Sequence, residues 1–344
     1  MASKTPVNFL LGTHHVGDST KSPLAPFDKP EDVQALLDAF HSRGYNHLDT
    51  GRNYSLHAPG SSEDRLGKSK NLSRFVIHTK VEDGFAGAHE AAKIHASIDK
   101  SLKALNVSSV ETMYLHVPDR QTPFAETAQA LHEAKQQGKF KHWGLSNYAA
   151  SEVEQFLKIC EEKGYDKPKV FQGHYNPIVR GGEKELFPLL RKHGIAFVAY
   201  RKADDWHNSP AAGGFFNGNV ATSTRWDSEN ATGNLYNALY KDAAVRASAA
   251  IVHDAAARHG ISGHAAAIRW TAYHSTLDGK FGDGVAFGVS KVEQVHKTLD
   301  ALEAGPLPTD VADAITAIYA TVEGSEPQYF LGEATTELVS TQEQ

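Results

Sequence analysis

The sequence predicts an α/β protein built as a closed eight-stranded parallel barrel, on three observations. Short apolar runs of strand length alternate with stretches of helical apolar spacing along almost all of its 344 residues. About eight such strands can be counted, which favours a closed barrel over an open sheet. Three consecutive strands each deliver an ionisable residue at the carboxyl end, the end where parallel barrels collect their chemistry. Tyr45–Leu48 runs into Asp49, with Tyr54 five positions on; Phe75–Thr79 ends on Lys80; Glu111–Leu115 ends on His116.

Taken in order, Val7–Gly12 reads as strand one. Asp28 is the expected cap of a helix with Pro30 in its first turn and Val33, Leu36, Leu37 and Phe40 on one face, stopped at Gly44. After strand two, Ser61–Gly67 reads as a short helix, and after strand three Ala88–Leu105 as a long one with Ile94, Ile98, Leu102 and Leu105 aligned. Phe124–Gln137 is a helix stopped by Gly138. Strand five is His142–Ser146, then a helix over Ser151–Lys163; strand six is Val170–Tyr175, then a helix over Glu183–His193; strand seven is Ile195–Tyr200. An irregular passage from Arg201 to Leu235 interrupts the rhythm. Helices resume over Tyr236–His259 and Ser262–His274, strand eight follows at Val285–Val289, and helices over Lys291–Glu303 and Thr309–Val322 close the pattern. No linker or repeat divides the chain. The expectation is one (β/α)8 TIM barrel domain over 1–334 with a loose tail at 335–344.

Hydrophobic content of 40% is ample for one large core, and a formal charge of −6 gives no reason to expect nucleic-acid or membrane partners. The single cysteine, Cys160, excludes an intramolecular disulfide and reads as a buried core residue. No charged-then-apolar leader opens the sequence and no apolar run approaches the ~18 residues of a membrane span, so a cytoplasmic location is expected. Without a leader, the glycosylation sequons at Asn106 and Asn230 read as chance matches. The nineteen histidines raise the question of a metal. His14 and His15 are adjacent and no pair has supported ligand spacing, so no metal is expected.

Asp49, Tyr54, Lys80 and His116 form a chemically coherent set. A phenol titrates near ~10 and is a poor proton donor at neutral pH unless a neighbouring ammonium lowers that value. A carboxylate offsets the cost of holding the lysine charged, and an imidazole can hold a carbonyl oxygen in line with the phenol. Singly, each residue reads more often as a rim charge, a capped turn or a core aromatic; their order and number give the set its weight.

In order and spacing these four residues resemble the catalytic tetrad of the aldo-keto reductases, and the resemblance extends from about Leu10 to Phe330. Gly144-Leu-Ser-Asn is similar to the family's strand-five motif, which implies that Ser146 and Asn147 bond the nicotinamide amide, with Gln172 doing the same from strand six. Tyr200 falls where an aromatic stacks on the nicotinamide ring. Ser209-Pro-Ala-Ala-Gly-Gly-Phe resembles the pyrophosphate loop, implicating Ser209, Ala211 and Gly213. Gly288-Val-Ser-Lys-Val-Glu-Gln resembles the motif around the adenosine 2′-phosphate, implicating Ser290, Lys291 and Gln294. Arg225-Trp226 and the late Gln328-Tyr-Phe are most similar to the aflatoxin-aldehyde reductase subgroup.

The residue types agree with those roles. Amide and hydroxyl groups can fix a carboxamide, small residues admit a pyrophosphate, and a helix amino end beside Lys291 favours a phosphate, hence NADPH over NADH. No Gly-x-Gly-x-x-Gly follows an early strand, against a Rossmann domain. Three departures stand out: Gly51 replaces the common alanine, Thr298 replaces an asparagine at the adenine, and Arg201–Asn208 is inserted between Tyr200 and the pyrophosphate loop. Trp206 in the insertion is a candidate substrate contact, and Arg225 beside Trp226 a candidate clamp for a substrate carboxylate.

The resemblance implies reduction of a small-molecule aldehyde or ketone by NADPH with Tyr54 as general acid. A homodimer is compatible with it. The alternative is a non-catalytic NADP(H)-binding barrel that senses redox state, as potassium-channel β-subunits do.

Overall fold

The computed structural model describes residues 5–22, 24–55, 57–200, 216, 240 and 242–332. Eight parallel strands close into a barrel in sequential order, each paired with its chain neighbours and β1 with β8. They are β1 (Asn8–Gly12), β2 (His47–Asp49), β3 (Val76–Lys80), β4 (Val110–Leu115), β5 (Phe140–Ser146), β6 (Val170–His174), β7 (Ala196–Tyr200) and β8 (Gly284–Gly288).

The two-residue strand period splits the core in two. Leu10, Tyr114, Val170, Val198 and Ala286 point inward and pack together inside the barrel. Their neighbours Leu11, Leu48, Ile77, Met113, Leu115, Trp143, Phe171 and Phe197 point outward under the helices. Helix α1 (Pro30–Ser42) shows the other half of that contact: Val33, Leu36, Leu37 and Phe40 are buried, while Glu31 and Asp32 lie in its first turn. Each such apolar side chain contributes roughly 1.5–3 kcal/mol on full burial. Cys160 is buried in this outer shell, and burial pushes its thiol up to about 12.

Several expected boundaries move, each for a local reason. Lys29, not Asp28, occupies the position before α1, and its side chain makes no capping bond; the Asp28 carboxylate instead accepts from Arg65 Nε and Nη2 at 2.9 and 2.8 Å, and from Ser19. The helix after β3 begins at Ala91, because Gly84 and Gly87 take positive φ and carry the preceding residues through turns. Beyond residue 240, a helix spans Ala243–Ala257, started by Asp242, whose carboxylate accepts from the main-chain N–H of Ala244 and Val245. The last expected helix is two, Thr309–Ala317 and Tyr319–Val322. Among the described residues, no helix is long and apolar enough to cross a membrane.

Candidate active site

Strand register brings the ionisable residues together. Asp49 pairs with His78 across β2 and β3, and Lys80 pairs with Tyr114 across β3 and β4. Asp49 and Lys80 therefore end neighbouring strands on the inner face, and the loop after β2 folds Tyr54 over them. That loop is pinned from outside: Arg52 bonds Glu63 at 3.0 Å, and Glu63 accepts from Thr79 at 2.7 Å. A Cβ at Gly51 would come within 3.1 Å of the Tyr54 ring, so an alanine there would need the ring to shift by a few tenths of an ångström.

Three of the four predicted catalytic side chains form one buried network. Lys80 Nζ donates to Asp49 Oδ1 and Oδ2 at 2.8 and 2.9 Å, to the Thr50 carbonyl at 2.8 Å and to the Tyr54 hydroxyl at 2.8 Å. The Tyr54 hydroxyl donates to Asp49 Oδ2 at 2.5 Å. Gln172 Nε2 reaches across the barrel to Asp49 Oδ1 at 2.7 Å. Tyr54 is 7% exposed, Asp49 2% and Lys80 0%.

Burial raises the Asp49 pKa, but the Lys80 charge and hydrogen bonds from Lys80, Tyr54 and Gln172 outweigh it, so the net shift is downward. Burial also lowers Lys80, against the pull of Asp49. The net shift of the phenol expected from a neighbouring ammonium is not seen, because other causes outweigh it. Burial pushes Tyr54 well above 10, and the charge and hydrogen bond of Asp49 push the same way. Burial first, and the facing carboxylate second, favour the protonated phenol.

His116 stands beside this network. Its ring meets Tyr54 edge-on, with centroids 6.1 Å apart, and its Nδ1 lies 3.0 Å from Asp83 Oδ2. Its main-chain carbonyl accepts from Asn147 Nδ2 at 2.8 Å. Asn147 has a left-handed φ of 68°, which folds its side chain back toward β4. Its Nδ2 also reaches Ser146 Oγ at 3.2 Å, and its Oδ1 accepts from the Tyr200 hydroxyl. Ser146 pairs with Gln172 across β5 and β6, so Ser146, Asn147, Gln172 and Tyr200 occupy one side of the mouth.

After β8, which pairs with β7, Gln294 Oε1 accepts from the main-chain N–H of Ser290 and Lys291, at 2.8 and 3.1 Å, and from Ser290 Oγ at 3.2 Å. This closes the turn into the helix Val292–Glu303 and leaves the Lys291 residue exposed at its amino end. Thr298 is buried in the same helix. Trp206, Ser209, Ala211, Gly213, Arg225, Trp226 and the insertion Arg201–Asn208 lie outside the described residues, as does 333–344.

Residues that sequence reasoning passed over also join the site. His14, after β1, meets the Tyr54 ring edge-on at 5.1 Å, and burial pulls its imidazole down to about 3. Below Asp49 and Lys80, two residues earlier on the same strands, lie His47 and His78. Their Nδ1 and Nε2 are 3.0 Å apart. Centroids at 5.3 Å and planes within 19° make this an in-line bond between nearly coplanar rings. Burial, then the neighbouring His47, pulls His78 down to about 3. The period-two pattern was the available signal for this pair. Among the described residues, no three His, Cys, Asp or Glu side chains converge as a metal set.

Comparison with known proteins agrees with the geometry. A profile described as the aldo/keto reductase family matches residues 8–320. An aldo-keto reductase of Pseudocercospora fijiensis is 36% identical over 307 residues, covering 86% of this chain and all of that protein. Oxidoreductase sirO of Leptosphaeria maculans is 33% identical over 94% of this chain and 96% of its own length. Human aflatoxin B1 aldehyde reductase member 2 is 33% identical over 93% of this chain and 89% of its own.

Proposed function

This chain belongs to the aldo/keto reductase family, and we propose that it reduces an aldehyde to the alcohol with NADPH, Tyr54 acting as general acid. The observation that carries the reading is the buried Asp49–Lys80–Tyr54 network at the carboxyl ends of β2 and β3. The aldehyde is proposed because several relatives are named aflatoxin B1 aldehyde reductases. An intact network with a protonated phenol supports catalysis over a sensing role.

Bound NADPH would supply the hydride to the carbonyl carbon. The donor chemistry suits such a cofactor. Ser146, Asn147 and Gln172 offer hydroxyl and amide groups for a carboxamide, Tyr200 offers a ring, and Ser290 with Lys291 offers a hydroxyl and a cation for the 2′-phosphate. Gln294 would shape that turn, since its carbonyl oxygen is occupied by the turn itself.

Tyr54 then gives its proton to the carbonyl oxygen. The phenolic O–H bond breaks as the alcohol O–H forms, and the hydrogen must first swing from Asp49 Oδ2 to the substrate. Lys80, 2.8 Å from the phenolic oxygen, stabilises the phenolate left behind. Asp49 keeps Lys80 and Gln172 as partners throughout, so releasing the phenol does not leave a bare carboxylate. His116 orients the carbonyl oxygen. The test is turnover: purified protein with a panel of aldehydes should consume NADPH absorbance, and no consumption with any aldehyde would refute the reading.

A further inference from the structure

We propose that Asp83 is a positioning residue for His116: it accepts the hydrogen carried by Nδ1 and so points the hydrogen on Nε2, on the opposite edge of the ring, at the reacting oxygen. The proposal rests on the carbonyl-reducing reading given above. Asp83 is the third residue beyond Lys80, in the loop between β3 and the helix Ala91–Leu105, and only 4% of it is exposed. Nothing in the motif around Lys80 marks it.

Its two carboxylate oxygens have different tasks. Oδ1 accepts from Asn53 Nδ2 at 2.9 Å, and the same nitrogen donates to the Asp83 carbonyl at 2.9 Å. Asn53 immediately precedes Tyr54, so this end ties Asp83 to the loop that carries the phenol. Oδ2 lies 3.0 Å from His116 Nδ1. Both atoms are buried, and neither is satisfied by any other group. A carboxylate only accepts, so the nitrogen facing it carries hydrogen.

The contact is within ion-pair distance but not aligned as a hydrogen bond. A small turn of the ring completes it, and a carbonyl oxygen accepting from Nε2–H is what would hold the ring, with hydrogen on both nitrogens, in that orientation; such bonds commonly tighten only with substrate in place. The His116 backbone is fixed separately, through its carbonyl and Asn147 Nδ2. Asp83 thus governs the ring while Asn147 governs the main chain. Asn53, Asp83 and His116 together link the acid's loop to the group that orients the substrate.

The experiment is a double-mutant cycle of Asp83→Ala and His116→Gln, with Asp83→Asn as the conservative variant, read by NADPH-dependent aldehyde turnover. Asp83→Ala should lower kcat by about 10- to 100-fold, as loss of a histidine's orienting partner does elsewhere, with NADPH affinity unchanged. Asp83→Asn, whose amide oxygen still accepts, should recover part of that loss. In the His116→Gln background, Asp83→Ala should cost less than about twofold, because a positioning residue has nothing left to position. Additive losses would overturn the proposal, as a purely structural role predicts them. A second arm needs no turnover. In 15N-histidine-labelled protein, with the His116 signal assigned by its absence in His116→Gln, both ring nitrogens should carry hydrogen, and Asp83→Ala should remove the one on Nδ1. A ring carrying hydrogen on one nitrogen only in the unmodified protein would overturn it too. If Asp83→Ala does not fold, Asp83→Asn carries both arms. A parent protein that turns over no aldehyde refutes the functional reading, while the 15N arm still decides Asp83.

Discussion

The paired histidines under the catalytic network make stability fall on the acid side of neutrality. His78 titrates near 6.5 in an unfolded chain but near 3 in the barrel, where burial and then His47 disfavour the cation. Between those values the unfolded state binds more protons, so the stabilisation is fully present above about 6.5 and is lost as pH falls toward 3. Worked through for one site, moving from pH 7 to pH 5 removes about 2 kcal/mol, and full titration about 5 kcal/mol. His47 is lowered by the same burial and adds in the same direction. Denaturant unfolding of the parent and of His78→Leu at both pH values isolates the effect. The parent should lose about 2 kcal/mol more than the variant between pH 7 and pH 5. Equal losses would show that His78 does not resist protonation and would refute the reasoning.

Tyr54→Phe should abolish aldehyde reduction by about 10²–10⁴-fold while fluorescence titration shows NADPH binding nearly intact; wild-type turnover would end the acid's assignment. Lys80→Met leaves the buried Asp49 carboxylate without its cation, so it should cost about 3–5 kcal/mol of unfolding free energy as well as activity. A variant as stable as the parent would mean the pair is not held charged. Lys291→Ala should narrow the preference for NADPH over NADH by about 1–2 kcal/mol, measured as the ratio of the two dissociation constants. Equal binding of both cofactors to the parent protein would sink the phosphate-site reading.

Most of the barrel was legible because each strand is a short apolar run ended by a turn signal, and the barrel repeats that pattern. Asp49, Lys80 and His116 were legible for the same reason, each lying at a run's carboxyl end. What the sequence left hidden depends on register. That Gln172 bonds Asp49, or that His47 meets His78 rather than solvent, follows only once β2, β3 and β6 are placed around a common axis. Asp28 was misread because a turn carboxylate before Pro30 is an ordinary cap signal, and nothing local shows that Arg65 claims it. Asp83 was missed because its partner is on another strand end, with only loop residues around it.

The direction of the Tyr54 shift was the least legible feature, and it bears most on mechanism. From composition, an ammonium beside a phenol should favour phenolate. In the folded site the ammonium is shared among a carboxylate, a main-chain carbonyl and the phenol, while the phenol's own hydrogen points at the carboxylate. Burial is the larger cause and the Asp49 charge the next, and both favour the neutral phenol beside the Asp49–Lys80 ion pair. That arrangement suits reduction, which spends a proton. In the proposed reaction Lys80 would act after that proton has left, on a phenolate 2.8 Å from its ammonium. The two charges of that reaction thus divide the work: Asp49 disfavours the phenolate and so keeps the acid loaded, while Lys80 would favour the phenolate once the proton has gone.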